Sequence, residues 1–119
     1  MKIRLFVAVS LLIFSCSSQD VKKDATEFIS TYTERYLDLY YKLSLAEWDL
    51  NTKIIEGDTM NAWKARQADE AYSAFTGSIE NIKKARELLN SREKLDSLQV
   101  KQLEVILYSA ANKPAIVQE

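Results

Sequence analysis

The sequence predicts an all-α protein, and three observations support this. The 119 residues include two glycines and one proline, whereas a β-rich chain needs frequent turns built from these residues. Apolar residues recur every three or four positions, which is the spacing of one helix face. Charged residues make up 28 % and hydrophobic residues 47 % of the chain. This composition suits one domain of three to four mostly antiparallel helices joined by short loops.

The first fifteen residues are typical of a lipoprotein signal peptide. Lys2 and Arg4 precede an apolar run over residues 5–14, and this run is too short to span a bilayer. Ser15 and Cys16 then complete an ending similar to a bacterial lipobox. Cys16 is the only cysteine and would become the lipidated first residue of the mature protein. The alternative is an ordinary secretory signal with an incidental cysteine, or a buried thiol.

These features predict a chain that is secreted across the inner membrane and lipid-anchored in a bacterial cell envelope. Residues 1–15 are the expected signal peptide, residues 16–23 a polar tether and residues 24–119 the helical domain. More than one acyl chain on Cys16 would hold the protein firmly, because a single chain binds a membrane only marginally.

The first helix of the mature chain is predicted from about Asp20 to Ile55, with Gly57 as a stop signal. Its apolar stripe comprises Val21, Ala25, Phe28, Tyr32, Tyr36, Leu39, Leu43, Ala46 and Leu50. Between Tyr36 and Leu50 the helix is apolar nearly all round, and such a helix is normally buried on every side. The few remaining helices of this chain would leave part of it exposed. We therefore expect further contacts from another chain or from more of the same polypeptide.

Two or three shorter helices follow. Asp58 or Thr59 can cap a second helix, whose apolar positions are Met60, Trp63, Ala68, Ala71, Tyr72 and Phe75. The stretch 76–78 (Thr-Gly-Ser) either separates this helix from a third or bends a single kinked helix. The third segment places Ile79, Ile82, Ala85, Leu88 and Leu89 at helical spacing. Asp96 and Gln99 form a capping-box pattern for the last helix, whose predicted buried face comprises Leu98, Leu103, Ile106, Leu107 and Ala110.

A polar strip is the candidate functional feature of the first helix. Tyr40, Ser44, Glu47 and Asn51 are four, three and four residues apart, so they share one helix face. They offer a phenol, a hydroxyl, a carboxylate and an amide, which are groups that can hold a peptide. The competing interpretation is a solvated face, with Asn51 bonded to backbone near the helix end.

Composition excludes several functions. The chain has no histidine, so it lacks the commonest general base and the commonest zinc ligand. Sixteen basic and seventeen acidic residues give a net charge of −1, and no concentrated basic run indicates nucleic acid as a partner.

The stretch from Ala25 to Ile54 resembles the N-terminal region of the angiotensin-converting-enzyme family of zinc peptidyl-dipeptidases. The family pattern has an Ala-x-x-Phe start, an aromatic cluster and an Ala-x-Trp-x-x-Asn-Thr-x-Ile run. The corresponding residues here are Ala25, Phe28, Tyr32, Tyr40, Tyr41, Ala46, Trp48, Asn51, Thr52 and Ile54. The resemblance extends over about residues 24–114. The Ala-x-Trp-x-x-Asn-Thr run is its most specific part.

The resemblance implies the cleft-covering, lid-like part of a larger α-helical metallopeptidase that removes C-terminal dipeptides from peptides. The family's zinc ligands and catalytic groups have no counterpart here, so no catalytic residue, metal residue or cofactor is assigned to this chain. Whether the chain is itself an enzyme stays open. Zinc belongs to the complete family enzyme. The implied partners are the rest of the peptidase polypeptide, or a helical partner, and a peptide that would contact Asn51, Glu47, Ser44 and Tyr40. The alternative is a stand-alone helical lipoprotein that acts as a binding or dimerisation module.

The lipidation of Cys16 can be tested by metabolic labelling with a fatty-acid analogue. We expect label in the unaltered chain and none in a Cys16→Ala variant, because the thiol is the acylated group. Equal label in both proteins would contradict the prediction.

Overall fold

The all-α prediction is confirmed by the structure, a computed structural model that describes the backbone of residues 14–112 and the side chains of residues 19–112. Within that range the chain forms α1 (Phe14–Thr52), α2 (Met60–Thr76), α3 (Ile79–Leu89), a short 3₁₀ helix (Arg92–Lys94) and α4 (Ser97–Ala111).

The limits of α1 differ from the predicted ones. It begins at Phe14 rather than near Asp20, since no glycine or proline interrupts the chain between these positions. Residues 16–23, predicted as a tether, therefore have helical backbone. The Cys16 side chain and residues 1–13 lie outside the described part, so signal cleavage and lipidation stay predictions.

A tight turn joins α1 to α2. Helix α1 ends at Thr52, three residues before the predicted limit. Gly57 has φ +80°, a left-handed conformation that glycine adopts without a steric penalty. The Oδ1 atom of Asp58 accepts a hydrogen bond of 2.7 Å from the backbone N–H of Met60. Asp58 therefore binds one of the free N–H groups at the start of α2.

The chain breaks between α2 and α3 at Gly77 and Ser78, so the structure has two helices here rather than one kinked helix. The Ser78 hydroxyl accepts a bond of 3.4 Å from the Asn81 N–H. The Asn81 side chain donates to the Phe75 carbonyl at 3.1 Å. These bonds satisfy backbone groups at both helix ends.

The predicted capping box at the start of α4 is confirmed. The Gln99 N–H donates to Asp96 Oδ1 at 2.8 Å, and the Asp96 N–H donates to Gln99 Oε1 at 3.1 Å. Gln99 also donates through Nε2 to the Lys22 carbonyl at 2.9 Å. This bond ties the start of α4 to the first part of α1, beside which α4 runs in the same direction.

The core lies where α1, α3 and α4 meet. Its buried residues are Ala25, Ile29, Tyr32, Ala85, Leu88, Leu103 and Ile106. Ala25 of α1 and Ala85 of α3 have no exposed surface. An ion pair of 2.7 Å between Lys84 and Asp24 links the same two helices at the surface.

The second half of α1 packs on α2. Leu39 and Leu43 are buried on α1, and the buried residues of α2 are Ala65, Ser73 and Thr76. Small side chains at these α2 positions allow the two helices to lie close together. Met60 and Trp63, which the sequence places in an apolar stripe, are instead 55 % and 50 % exposed, because the face that α2 turns to α1 is rotated away from them.

Leu98 is the clearest error in the predicted core. It is 66 % exposed, whereas Leu103, Ile106 and Ala110 on the same helix are buried as predicted. Gln99 takes the inward position at the start of α4 because its side chain bonds to α1.

Two leucines on α4 provide a matched test of this packing. We expect Leu103→Ala to lower the free energy of unfolding by about 2–5 kcal/mol, because it leaves a cavity in the core. Leu98→Ala should change it by no more than about 0.5 kcal/mol, because that side chain is exposed. Urea unfolding followed by circular dichroism measures both, and similar losses in the two variants would contradict this assignment.

Candidate functional site

Four apolar side chains project from the side of α1 that faces away from the core. Leu37, Tyr41, Leu45 and Trp48 are 57 %, 67 %, 49 % and 66 % exposed. Steps of four, four and three residues keep them on one face of a helix. We call these four residues the outer stripe.

The described residues leave the outer stripe uncovered because α3 and α4 pack mainly beside the first half of α1. The shared core includes Ala25, Ile29 and Tyr32 of α1, together with residues of α3 and α4. Beyond Tyr36, α2 covers just one side of α1, the side of Leu39 and Leu43. The expectation that this chain leaves part of α1 exposed is therefore confirmed.

The predicted polar strip lies beside the outer stripe. Tyr40, Ser44, Glu47 and Asn51 are all exposed on continuous helix, so they do share one face. Asn51 donates through Nδ2 to the Glu47 carbonyl at 2.7 Å. This is the bond to nearby backbone that the competing interpretation of the polar strip predicts. The Asn51 side-chain oxygen is an acceptor that this bond does not use.

Exposed apolar residues continue to the end of the hairpin formed by α1 and α2. Ile54 and Ile55 are 86 % and 66 % exposed. Trp63, at the start of α2, is half exposed. The helical spacing placed Trp63 in a packing stripe and did not predict this extension. The run Lys-Ile-Ile-Glu-Gly is the signal that indicates it, because apolar side chains in a turn are exposed.

A tyrosine cluster connects the core to the polar strip. The hydroxyls of Tyr72 and Tyr36 are hydrogen-bonded at 3.2 Å. Tyr36 and Tyr40 stack with ring centroids 6.0 Å apart and planes 4° apart. Tyr40 is therefore held by neighbouring rings. The sequence predicts Tyr32 and Tyr36 on the apolar stripe and Tyr40 on the polar strip, but nothing local indicates that Tyr72 joins them.

Tyr32 is the buried member of the cluster. Its hydroxyl has no hydrogen-bond partner among the described residues. Burial and, to a lesser extent, the neighbouring Tyr36 raise the pKa of Tyr32 from 10.0 to about 12. Burial and the bond to Tyr36 also raise the pKa of Tyr72. In both residues the neutral phenol is favoured because a buried charge loses its hydration.

A shallow groove of about 340 Å³ runs between α1 and α4 and reaches the outer stripe at Leu37. Ile29 and Tyr32 line it on α1, and Val105 and Ile106 line it on α4. The groove makes the exposed apolar surface continuous from α4 to the outer stripe.

The donor set of this chain does not fit a zinc site of the peptidase type. The sequence contains no histidine, and the residues described by the structure include no group of three or more metal-binding side chains. Within residues 14–112, no helix combines the length and apolar character needed to cross a membrane.

No protein-family model matches this sequence, and no match was found among solved structures.

The hydroxyls of the buried Tyr32 and the half-buried Tyr72 support opposite predictions. We expect Tyr32→Phe to raise the free energy of unfolding by about 1 kcal/mol, because it removes a buried polar group that has no partner. We expect Tyr72→Phe to lower it by about 1 kcal/mol, because it removes the bond to Tyr36. Denaturant unfolding at pH 7 measures both changes. Equal losses in the two variants would contradict the assignment of Tyr32 as unpartnered.

The unaltered protein should lose stability as the pH rises from about 10 to about 12. Folded Tyr32 keeps its proton up to a pKa of about 12, whereas the unfolded chain loses it near 10.0. The unfolded state therefore binds fewer protons in this window, and the loss reaches about 1.4 kcal/mol per pH unit from this group. Tyr32→Phe should show a smaller loss, measured by unfolding at several pH values, and an unchanged slope would count against the raised pKa.

Proposed function

We propose that this chain is the N-terminal, cleft-covering segment of a zinc-dependent peptidyl-dipeptidase similar to angiotensin-converting enzyme. The complete enzyme would remove C-terminal dipeptides from peptides, and this segment would add neither a zinc ligand nor a catalytic group. The observation that carries the proposal is a coincidence on α1. Residues 46–52 of the run that resembles the family lie in the part of α1 whose outer side is exposed, and the run ends at the exposed Ile54, just after this helix.

The exposed aromatic area supports a larger body as the partner. Tyr41 and Trp48 are 67 % and 66 % exposed. A whole aromatic side chain covers about 150–250 Å², so these two leave roughly 100–170 Å² each to be covered. At about 25 cal/mol per Å², covering them contributes roughly 2.5–4 kcal/mol for each residue before the costs of docking. An enzyme body seated on the outer stripe would supply this burial.

In such a complex the polar strip would lie at the edge of the interface, next to the cleft. The Asn51 side-chain oxygen and the Glu47 carboxylate are acceptors that can receive peptide N–H groups. Tyr40, held by Tyr36, offers a hydroxyl and a ring face. This arrangement suits a surface that restricts and guides peptides and requires no chemistry from the chain itself.

A second candidate function is that of a stand-alone helical lipoprotein that binds a partner through the outer stripe. The completeness of the core favours it. Ala25, Ala85 and Leu103 are fully buried by elements of this chain alone, and the capping box and the Gln99 bond secure α4. A chain with such a core can fold without an enzyme body, which makes the outer stripe a surface for association.

The genomic reading frame tests the first proposal. We expect the DNA beyond codon 119, in this frame or a shifted one, to encode further helical sequence with a His-Glu-x-x-His motif, because the family's zinc site requires it. A stop codon followed by unrelated sequence would contradict the peptidase proposal and leave the stand-alone lipoprotein.

A further inference from the structure

We infer that the outer stripe of α1 is an interface between two antiparallel copies of this chain. The inference develops the second candidate function and rests on the outer stripe being a docking surface. An enzyme body on the same stripe would exclude the second copy, so the pairing concerns the chain without such a body. Two observations carry it, namely the order of charges along one flank of the stripe and the apolar area available.

Charged residues follow one flank of the outer stripe in a self-complementary order. Asp38, Lys42, Asp49 and Lys53 are separated by four, seven and four residues, and this spacing reads the same in both directions. At about 100° per residue, Asp38, Lys42 and Asp49 lie on the same side of Tyr41, about 60–100° around the helix. Lys53 directly follows α1 and continues its bonding pattern, since its N–H donates to the Asp49 carbonyl at 2.9 Å. The signs alternate from negative to positive, so reversing the helix places each charge opposite its counterpart.

This order fixes one register for an antiparallel pair. A two-fold axis perpendicular to α1, midway between Leu45 and Ala46, places Asp38 level with Lys53 of the second copy. The same axis places Lys42 level with Asp49 of the second copy. Because each contact occurs twice, four cross-chain ion pairs form along one edge. In a parallel pair, the charged flank of one copy would instead face the polar strip of the other. Glu47 is the charged residue of that strip, so Lys42 and Lys53 would both have Glu47 as their one carboxylate partner there.

The stripe residues interdigitate in this register. Trp48 of the second copy lies level with Leu43, in the space between Tyr41 and Leu45 of the first copy. Tyr41 of the second copy lies level with Leu50, on the far side of Trp48. Alternating large side chains from two helices fill each other's gaps, which is the geometry of close helix packing.

The four charges already form ion pairs on each copy, and Asp38 also binds Arg35 at 3.1 Å. Lys42 Nζ lies 2.9 Å from Asp38 Oδ2, and Lys53 Nζ lies 2.8 Å from Asp49 Oδ1. In the paired state each lysine lies between two carboxylates, one from each copy. Exposed ion pairs add little affinity, so their role here is to select register and orientation, while the apolar stripe drives association.

The available area suits a reversible dimer. The exposed parts of Leu37, Tyr41, Leu45 and Trp48 amount to roughly 300–450 Å² of apolar surface on each copy. With a polar rim, a pair buries about 1,000–1,400 Å² in total, which is near the lower end of specific interfaces. We therefore expect a dissociation constant of about 1–100 µM.

Charge exchange across the pair is the test. In sedimentation equilibrium of the full chain, we expect a monomer–dimer equilibrium in the micromolar range. Lys42→Asp and Asp49→Lys should each weaken dimerisation about fivefold or more, because each sets like charges opposite one another twice. The double variant K42D/D49K should return to within about threefold of the unaltered chain, because the opposite charges meet again. Leu45→Asp should abolish the dimer.

Lys23→Asp is the matched control, since Lys23 is an exposed, ion-paired lysine of α1 that lies outside the overlap of the two copies. It should leave the dissociation constant unchanged.

A monomeric chain at about 100 µM, or a double variant as weak as the single ones, would overturn the pairing. Circular dichroism of each variant separates loss of folding from loss of the dimer, and the double variant remains decisive if a single variant unfolds. If the chain is a monomer and a zinc motif is encoded downstream, only the pairing is contradicted. If the chain is a dimer and no such motif is encoded, only the peptidase proposal is contradicted.

Discussion

The length of α1 relative to the helices that pack on it is the constraint on which the rest of the structure depends. With 39 residues, α1 is about 58 Å long at about 1.5 Å per residue. Helices α3 and α4 have 11 and 15 residues, or about 17 and 23 Å. They cannot enclose a helix of that length. The core therefore gathers around the first half of α1, and beyond Leu37 the helix has α2 as its one neighbour within residues 14–112.

The tyrosine cluster lies at the transition between these two regions. Burial decreases along α1 from Tyr32 through Tyr36 to Tyr40, as α3 and α4 give way to open surface. The bond between Tyr36 and Tyr72 and the stack of Tyr36 on Tyr40 continue contact across the transition. The exposed half of α1 is thus an extension of a packed helix, and its outer stripe and polar strip are presented on a rigid element rather than on a loop.

Local features were predictable from sequence where nearby residues decide them. The pairing of Asp96 with Gln99 depends on neighbours within three residues along the chain, whereas the sequence left open whether Gly77 and Ser78 break the helix or bend it. The common face of Tyr40, Ser44, Glu47 and Asn51 follows from the helical repeat. The exposed outer stripe was also predictable, because a helix apolar nearly all round exceeds what a short chain can cover. Leu98 and Trp63 were misjudged, because an apolar residue near the edge of a stripe is buried only if a neighbouring helix lies on that side.

By itself, the sequence determined that this protein is helical, that breaks fall near Gly57 and before Asp96, and that α1 has more apolar surface than the other described helices can bury. These properties follow from spacing, capping and composition, which act over a few residues. Only the tertiary structure decided that α4 runs beside α1 in the same direction, that Gln99 rather than Leu98 turns inward, and that Tyr72 joins the tyrosines of α1. Those outcomes depend on contacts between residues far apart in the chain, where the packing of helices against one another selects one arrangement from several that the local pattern allows.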